Sequence, residues 1–97
     1  PGTDEFTEVF ETAVRMFPDD TIANLNAANA TMRRGDLAGA KRYLSNTDDS
    51  PEAIYARGAL AIRQKDYDSA RRYLNEAKSL GLEQAGITLE QLEKGRH

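Results

Sequence analysis

The stretch Arg33-Arg-Gly-Asp-Leu-Ala-Gly-Ala-Lys-Arg-Tyr-Leu44 returns thirty residues later as Arg63-Gln-Lys-Asp-Tyr-Asp-Ser-Ala-Arg-Arg-Tyr-Leu74. Six of the twelve positions are identical, and Lys41 against Arg71 keeps the charge as well. A self-similar period of this length is the sequence signature of a repeat architecture, in which each unit is one small supersecondary element. The element here reads as a helix, a tight turn and a second helix.

The signals around the second copy fix its limits. Ser50 is a good N-cap, Pro51 suits the first helical position, where its missing N–H costs nothing, and Glu52 complements the positive end of the helix dipole. A helix over 51–64 follows. The turn falls at Lys65, because its counterpart in the first copy is Gly35; Asp66 caps a helix over 67–80, and Gly81 supplies the left-handed residue that ends it. In the first copy, Asp20 caps a helix over 21–34, Gly35 stops it, and Asp36 caps a shorter helix from Leu37 to about Asn46. Residues 46–50 form a polar loop.

Both flanks carry further helices. Phe6, Val9, Phe10, Ala13, Val14 and Phe17 follow the spacing of one apolar helical face, which predicts a helix over 4–17 closed by Pro18, Asp19 and Asp20. Its expected role is a cap on the following helix, and exposed aromatics driving weak self-association are the other outcome. Downstream, Leu82, Ala85, Leu89 and Leu92 share a face and predict a capping helix over 83–94, with a shorter helix capped by Thr88 as the alternative. The expected fold class is therefore all-α, with about six helices and no strand. Residues 1–97 form a single domain made of helix 4–17, repeat 21–50, repeat 51–82 and helix 83–94.

Composition limits the function classes. The 97 residues are 39% hydrophobic and 30% charged, near the size at which one core just suffices. No run of about 18 apolar residues exists for a membrane span, so no membrane insertion is expected. The absence of cysteine excludes a disulfide framework and any thiolate zinc site, and leaves the compartment open. A formal charge of -3 argues against nucleic acid as a partner. That charge is unevenly placed: residues 1–20 hold six acids against Arg15, whereas residues 21–78 hold ten bases against seven acids.

The second copy resembles a tetratricopeptide repeat. In residues 51–84, Ile54 stands at the first large position of that family, Gly58 at the close-approach position of the first helix, and Asp66-Tyr67 at the turn. Ala70 stands at its near-invariant small residue, and Leu74 and Ala77 in the inward stripe of the second helix; Arg57 and Ala61 depart from the pattern, where leucine and tyrosine are usual. The first copy agrees at Gly35, Leu37, Ala40 and Leu44 but has Asn24 for the bulky residue and Ala28 for the glycine. Its period of thirty is about four short of the usual length, roughly one helical turn. Helix 4–17 is similar to the second helix of a preceding unit, with Phe10, Ala13 and Pro18 at the aromatic, small and closing-proline positions. The resemblance implies an α–α superhelix, a solenoid of helical hairpins, and a fragment of a larger protein.

Little in the chain could carry catalysis. His97, the only histidine, stands at a chain end, and Asp48-Asp49 lacks the six or so oxygen ligands that calcium takes. Glycines are scattered rather than gathered into a phosphate loop. No enzyme activity, metal or cofactor is expected. The pairs Lys41-Arg42 and Arg71-Arg72 recur at one place on the two second helices, and a solvated convex face explains them better than an acidic or nucleic-acid surface.

The better candidate surface lies on the first helices, which line the concave side in the family the sequence resembles. Asn26, Asn29 and Arg33 share a face at i, i+3, i+7; the positions thirty later are Ala56, Ala59 and Arg63, with Leu25 and Tyr55 alongside. Asparagine is costly inside a helix, and an amide that offers donors and an acceptor suits the backbone of an extended peptide. Asn24, at the inter-helix position, has the competing role of satisfying a buried backbone group. The expected partner-binding residues are Asn26, Asn29, Arg33, Tyr55, Ala59 and Arg63. Some tetratricopeptide proteins grip a partner's C-terminal carboxylate with Lys, Asn and Arg, but Leu25 and Ala56 stand where that clamp needs lysine and asparagine. The preferred function is a non-catalytic protein-interaction module, monomeric, that takes a peptide or partner protein in a concave groove. The alternative is a structural spacer within a larger multidomain protein, for which bacterial envelope proteins with similar short repeats are a loose precedent.

Overall fold

Among the described residues, four of the six helices begin where a side-chain oxygen takes an N–H that the first turn leaves free. Asp20 accepts from Ala23 N, Asp36 from Gly39 N, Ser50 from Ala53 N and Asp66 from Ser69 N. The computed structural model describes the backbone of residues 2–95 and the side chains of residues 8–95. His97 and the side chains of Asp4, Glu5 and Phe6 lie outside the described residues. The helices are α1 (Gly2–Met16), α2 (Thr21–Arg34), α3 (Leu37–Leu44), α4 (Pro51–Arg63), α5 (Tyr67–Ser79) and α6 (Glu83–Lys94). The chain is all-α, and no strand occurs among the described residues. It divides into two compact units, Pro1–Asp48 and Asp49–His97, so the division lies beside the boundary between the sequence repeats.

In the first unit α2 packs against both α1 and α3. Its buried side chains are mostly small, Ala23, Ala27, Ala28 and Ala30, which lets neighbouring backbones approach closely. Asn24 is 0% exposed, and its Nδ2 donates to the carbonyl oxygens of Pro18 (3.0 Å) and Asp20 (2.9 Å). The amide thus ties the α1–α2 turn to the start of α2. Gly35, at φ 90, ends α2 in the left-handed conformation, with its N–H donating to Met32 O and the Asp36 N–H to Thr31 O.

Two expectations for this unit need correction. The helix expected to reach about Asn46 ends at Leu44, where the last turn tightens to i→i−3 bonds: Asn46 N–H donates to Tyr43 O and Thr47 N–H to Leu44 O. The apolar face of α1 also divides. Phe10, Ala13 and Val14 are half-buried, while Val9 stays 64% and Phe17 61% exposed. At about 100° per residue, Val9 lies roughly 90° from the centre of the Phe10, Ala13, Val14 stripe, and Phe17 follows the last helical residue. α1 covers α2 and still leaves apolar surface to solvent.

One polar contact joins α1 to α3. Tyr43, buried on α3, donates its hydroxyl to Glu11 Oε2 at 2.7 Å. Burial, then the bond to Glu11 and its negative charge, hold the phenol pKa above the ordinary value of 10.0, against a smaller lowering by Arg42. An unfolded chain therefore releases this proton at a lower pH than the folded one. The stabilisation is complete below the ordinary phenol pKa and is lost as pH rises through the raised folded value. Tyr43→Phe should be weaker by about 0.5–1.5 kcal/mol near neutral pH, and the gap should narrow above about pH 10 in urea unfolding. A gap that stays constant across that range would show that the hydroxyl does not carry the effect.

The second unit repeats the hairpin around an apolar core of its own. Ile54, Leu74, Ala77 and Ala85 form its buried centre, with Tyr55, Ile62, Tyr73, Leu82, Leu89 and Leu92 packed around them. Gly58 marks the crossing of α4 and α5: a Cβ there would stand 3.1 Å from Leu74 Cδ2 and 3.3 Å from Tyr73 Cβ. The α4–α5 turn places Lys65 at φ 62, the left-handed conformation that Gly35 takes in the first unit. Lysine there carries a Cβ clash that glycine lacks, partly offset by the greater freedom glycine has in the unfolded chain. Lys65→Gly should stabilise the unit by roughly 0.5–1 kcal/mol in thermal melting. Unchanged or lower stability would mean that the turn relaxes to accommodate lysine. At the far end Gly81, at φ 104, turns the chain into α6, which covers the residues expected for it and packs against α5.

Candidate functional site

Exposure along α2 sorts the asparagines. Asn24 is spent on backbone carbonyls, while Asn26, Asn29 and Arg33 are exposed on a common face, and none of these three has a hydrogen-bond or ion-pair partner among the described residues. Arg34, the neighbour of Arg33, is already engaged, with Nη2 3.5 Å from Asp36 Oδ2. Arg33 is thus the cation on this face left to meet a ligand.

A fourth side chain, absent from the expected site, belongs to the same face. Ile22 is 68% exposed, and Ile22, Asn26, Asn29 and Arg33 follow i, i+4, i+7, i+11 along the helix. Each lies within about 60° of the others at 100° per residue. The face therefore grades from apolar at the N-terminal end of α2, through two amides, to a guanidinium at the C-terminal end. Leu25 lies half-buried beside it. The cue available in the sequence was an isoleucine in phase with the polar residues at the first turn.

The counterpart face of α4 has different chemistry. Tyr55 is half-buried, and its hydroxyl lies 2.9 Å from Thr88 Oγ1 on α6, where either oxygen can donate. Ala56 is buried, Ala59 is half-buried, and Arg63 is exposed. Of the three residues expected here, Arg63 alone offers a free polar group. Thr88, expected as an alternative N-cap, uses its hydroxyl on Tyr55, and α6 starts at Glu83 behind Leu82 without a side-chain cap.

The recurring basic pairs are held differently in the two units. Arg42 and Arg72 each lie over the ring of the tyrosine that follows, at 5.4 Å and 5.6 Å from the centroid. Arg71 is half-buried, pairs with Asp68, and stands 3.8 Å from Glu93 on α6, whereas Lys41 is exposed. Much of this charge is engaged within its own unit. Among the described residues, no group of three or more His, Asp or Glu side chains is placed to hold a metal ion, and no helix is long and apolar enough to cross a membrane. The chain matches no protein-family model and no curated protein sequence.

Proposed function

We propose that this chain is a non-catalytic protein-interaction module of tetratricopeptide-repeat type, a segment of α–α superhelix whose docking face for an extended peptide is carried by α2. The observation behind this reading is the exposed row of Asn26, Asn29 and Arg33, each without a partner among the described residues. Asparagine in a helix interior costs about half a kcal/mol or more against alanine, and two exposed ones on a single face gain no packing to offset it. Each amide can donate to a peptide carbonyl and accept from a peptide N–H at once, which is the chemistry that main-chain recognition needs.

A structural spacer is the second reading, and α4 favours it. There Ala56 is buried and the Tyr55 hydroxyl is engaged with Thr88, which leaves little for a ligand to contact. A peptide array separates the two readings. Binding that falls at least tenfold in Asn26→Ala plus Asn29→Ala, at unchanged helicity, supports the docking face. An array without reproducible binders, or binding indifferent to both asparagines, supports the spacer.

A further inference from the structure

The grading along α2 says more than that a peptide can lie there. We infer that α2 selects an extended acidic peptide in which an apolar side chain and a carboxylate side chain stand four residues apart, the apolar one against Ile22 and the carboxylate against Arg33. The inference rests on the reading of α2 as a docking face and specifies its ligand.

Length is the first argument. Ile22 and Arg33 are eleven positions apart, which at 1.5 Å per residue separates their Cα atoms by about 16 Å along the helix axis. An extended peptide advances about 3.3 Å per residue, so about five residues cover that distance. Two features shorten the span. Helical side chains lean towards the N-terminus, and the arginine, being much longer than the isoleucine, carries its guanidinium further back along α2. Parity then decides among the integers. Side chains on an extended chain alternate between faces, so both anchors can point at α2 only when their separation is even, and four residues span about 13 Å. The two amides between the anchors, Asn26 and Asn29, meet the main chain of the residues in the middle.

Charge and polarity are the second argument. Arg33 is exposed without an acid beside it, because the acid nearest in sequence, Asp36, is engaged by Arg34. A carboxylate on the ligand supplies the missing counter-ion. At the other end Ile22, 68% exposed, gains by being covered with an apolar side chain. The centre of the face is neutral and has no aromatic ring, which disfavours nucleic acid, whose binders combine repeated cations with stacking rings.

Fluorescence anisotropy on the full chain tests the inference. The probes are labelled peptides, acetylated and amidated to remove terminal charge, built on an alanine–serine background with leucine and glutamate separated by three, four, five or six positions. The expected result is tightest binding at a separation of four, at least tenfold better than at three or five. Ile22→Ser should erase the preference for leucine over serine at the first anchor. Arg33→Glu should exchange the preference, with a lysine peptide replacing the glutamate peptide. Both substitutions are at exposed positions, and circular dichroism checks that the helices persist. Binding insensitive to spacing, or an acidic preference that survives Arg33→Glu, overturns the inference. If unrelated array peptides bind through Asn26 and Asn29 while this series does not, the ligand assignment falls and the docking face stands. If neither series nor array binds, both fall.

Discussion

Truncating Leu74 to alanine is expected to cost the second unit about 2–5 kcal/mol, and adding a methyl group at Gly58 to the same variant is expected to restore part of the loss. Leu74 is 0% exposed at the centre of the unit, and its Cδ2 lies 3.1 Å from where a Cβ on residue 58 would stand. In the native background that contact is tighter than ordinary van der Waals packing, so the buried leucine has to shift by a few tenths of an ångström to admit the methyl group. Gly58→Ala alone therefore has its helical gain, about 1 kcal/mol at best, opposed by strain. With Leu74 shortened, the same methyl group enters the cavity, so the two changes should couple favourably in a double-mutant cycle followed by urea unfolding. Strict additivity would mean that the two residues do not share the crossing.

Deleting residues 1–18 should lower the melting temperature sharply. α1 is packed along α2, and the deletion also removes the Pro18 carbonyl, one of the two acceptors of the buried Asn24 amide, and Glu11, the acceptor of Tyr43. A loss of 2 kcal/mol already corresponds to a fall of about 8–16 °C in a domain of this size. The exposed Val9 and Phe17 add a second readout. If they draw molecules together, sedimentation of the full chain should report self-association that Val9→Ser plus Phe17→Ser removes. Equal melting of the truncated and full chains would mean that α1 contributes nothing to the unit it covers.

Helix placement was largely readable because the punctuation is chemical and local. Asp20, Asp36, Ser50 and Asp66 each cap a helix, and aligning Lys65 with Gly35 places the turn at the residue that the structure shows left-handed. What escaped the sequence depends on contacts between helices. Thr88 was legible as a cap, yet its partner is a tyrosine thirty-three positions away. The early end of α3 is a tightening to i→i−3 bonds at Asn46 and Thr47, which periodicity does not register. For the candidate face, Asn26, Asn29 and Arg33 follow from spacing, whereas the exposure of Ile22 does not, since residue type alone places an isoleucine in phase with a helix in the core. Tyr55 falls on the same surface by spacing, and nothing in the sequence reveals that its hydroxyl is engaged with Thr88.

Asn24 and Ile54 occupy equivalent places in the two repeats, and both are fully or almost fully buried. One secures its hairpin by an amide grasping two main-chain oxygens, the other by filling space. These solutions do not mix. An isoleucine transplanted into the first repeat would leave the Pro18 carbonyl without its donor, and an asparagine in the second would exchange apolar packing on leucine and alanine for an amide with the i−4 carbonyl of Ser50 as its local acceptor. The two copies are alike at their turns and differ at their centres, so exchanging Asn24 and Ile54 between them would put a misfit into each interior. Each repeat is in this way matched to its own interior, and an exchange between them is opposed there.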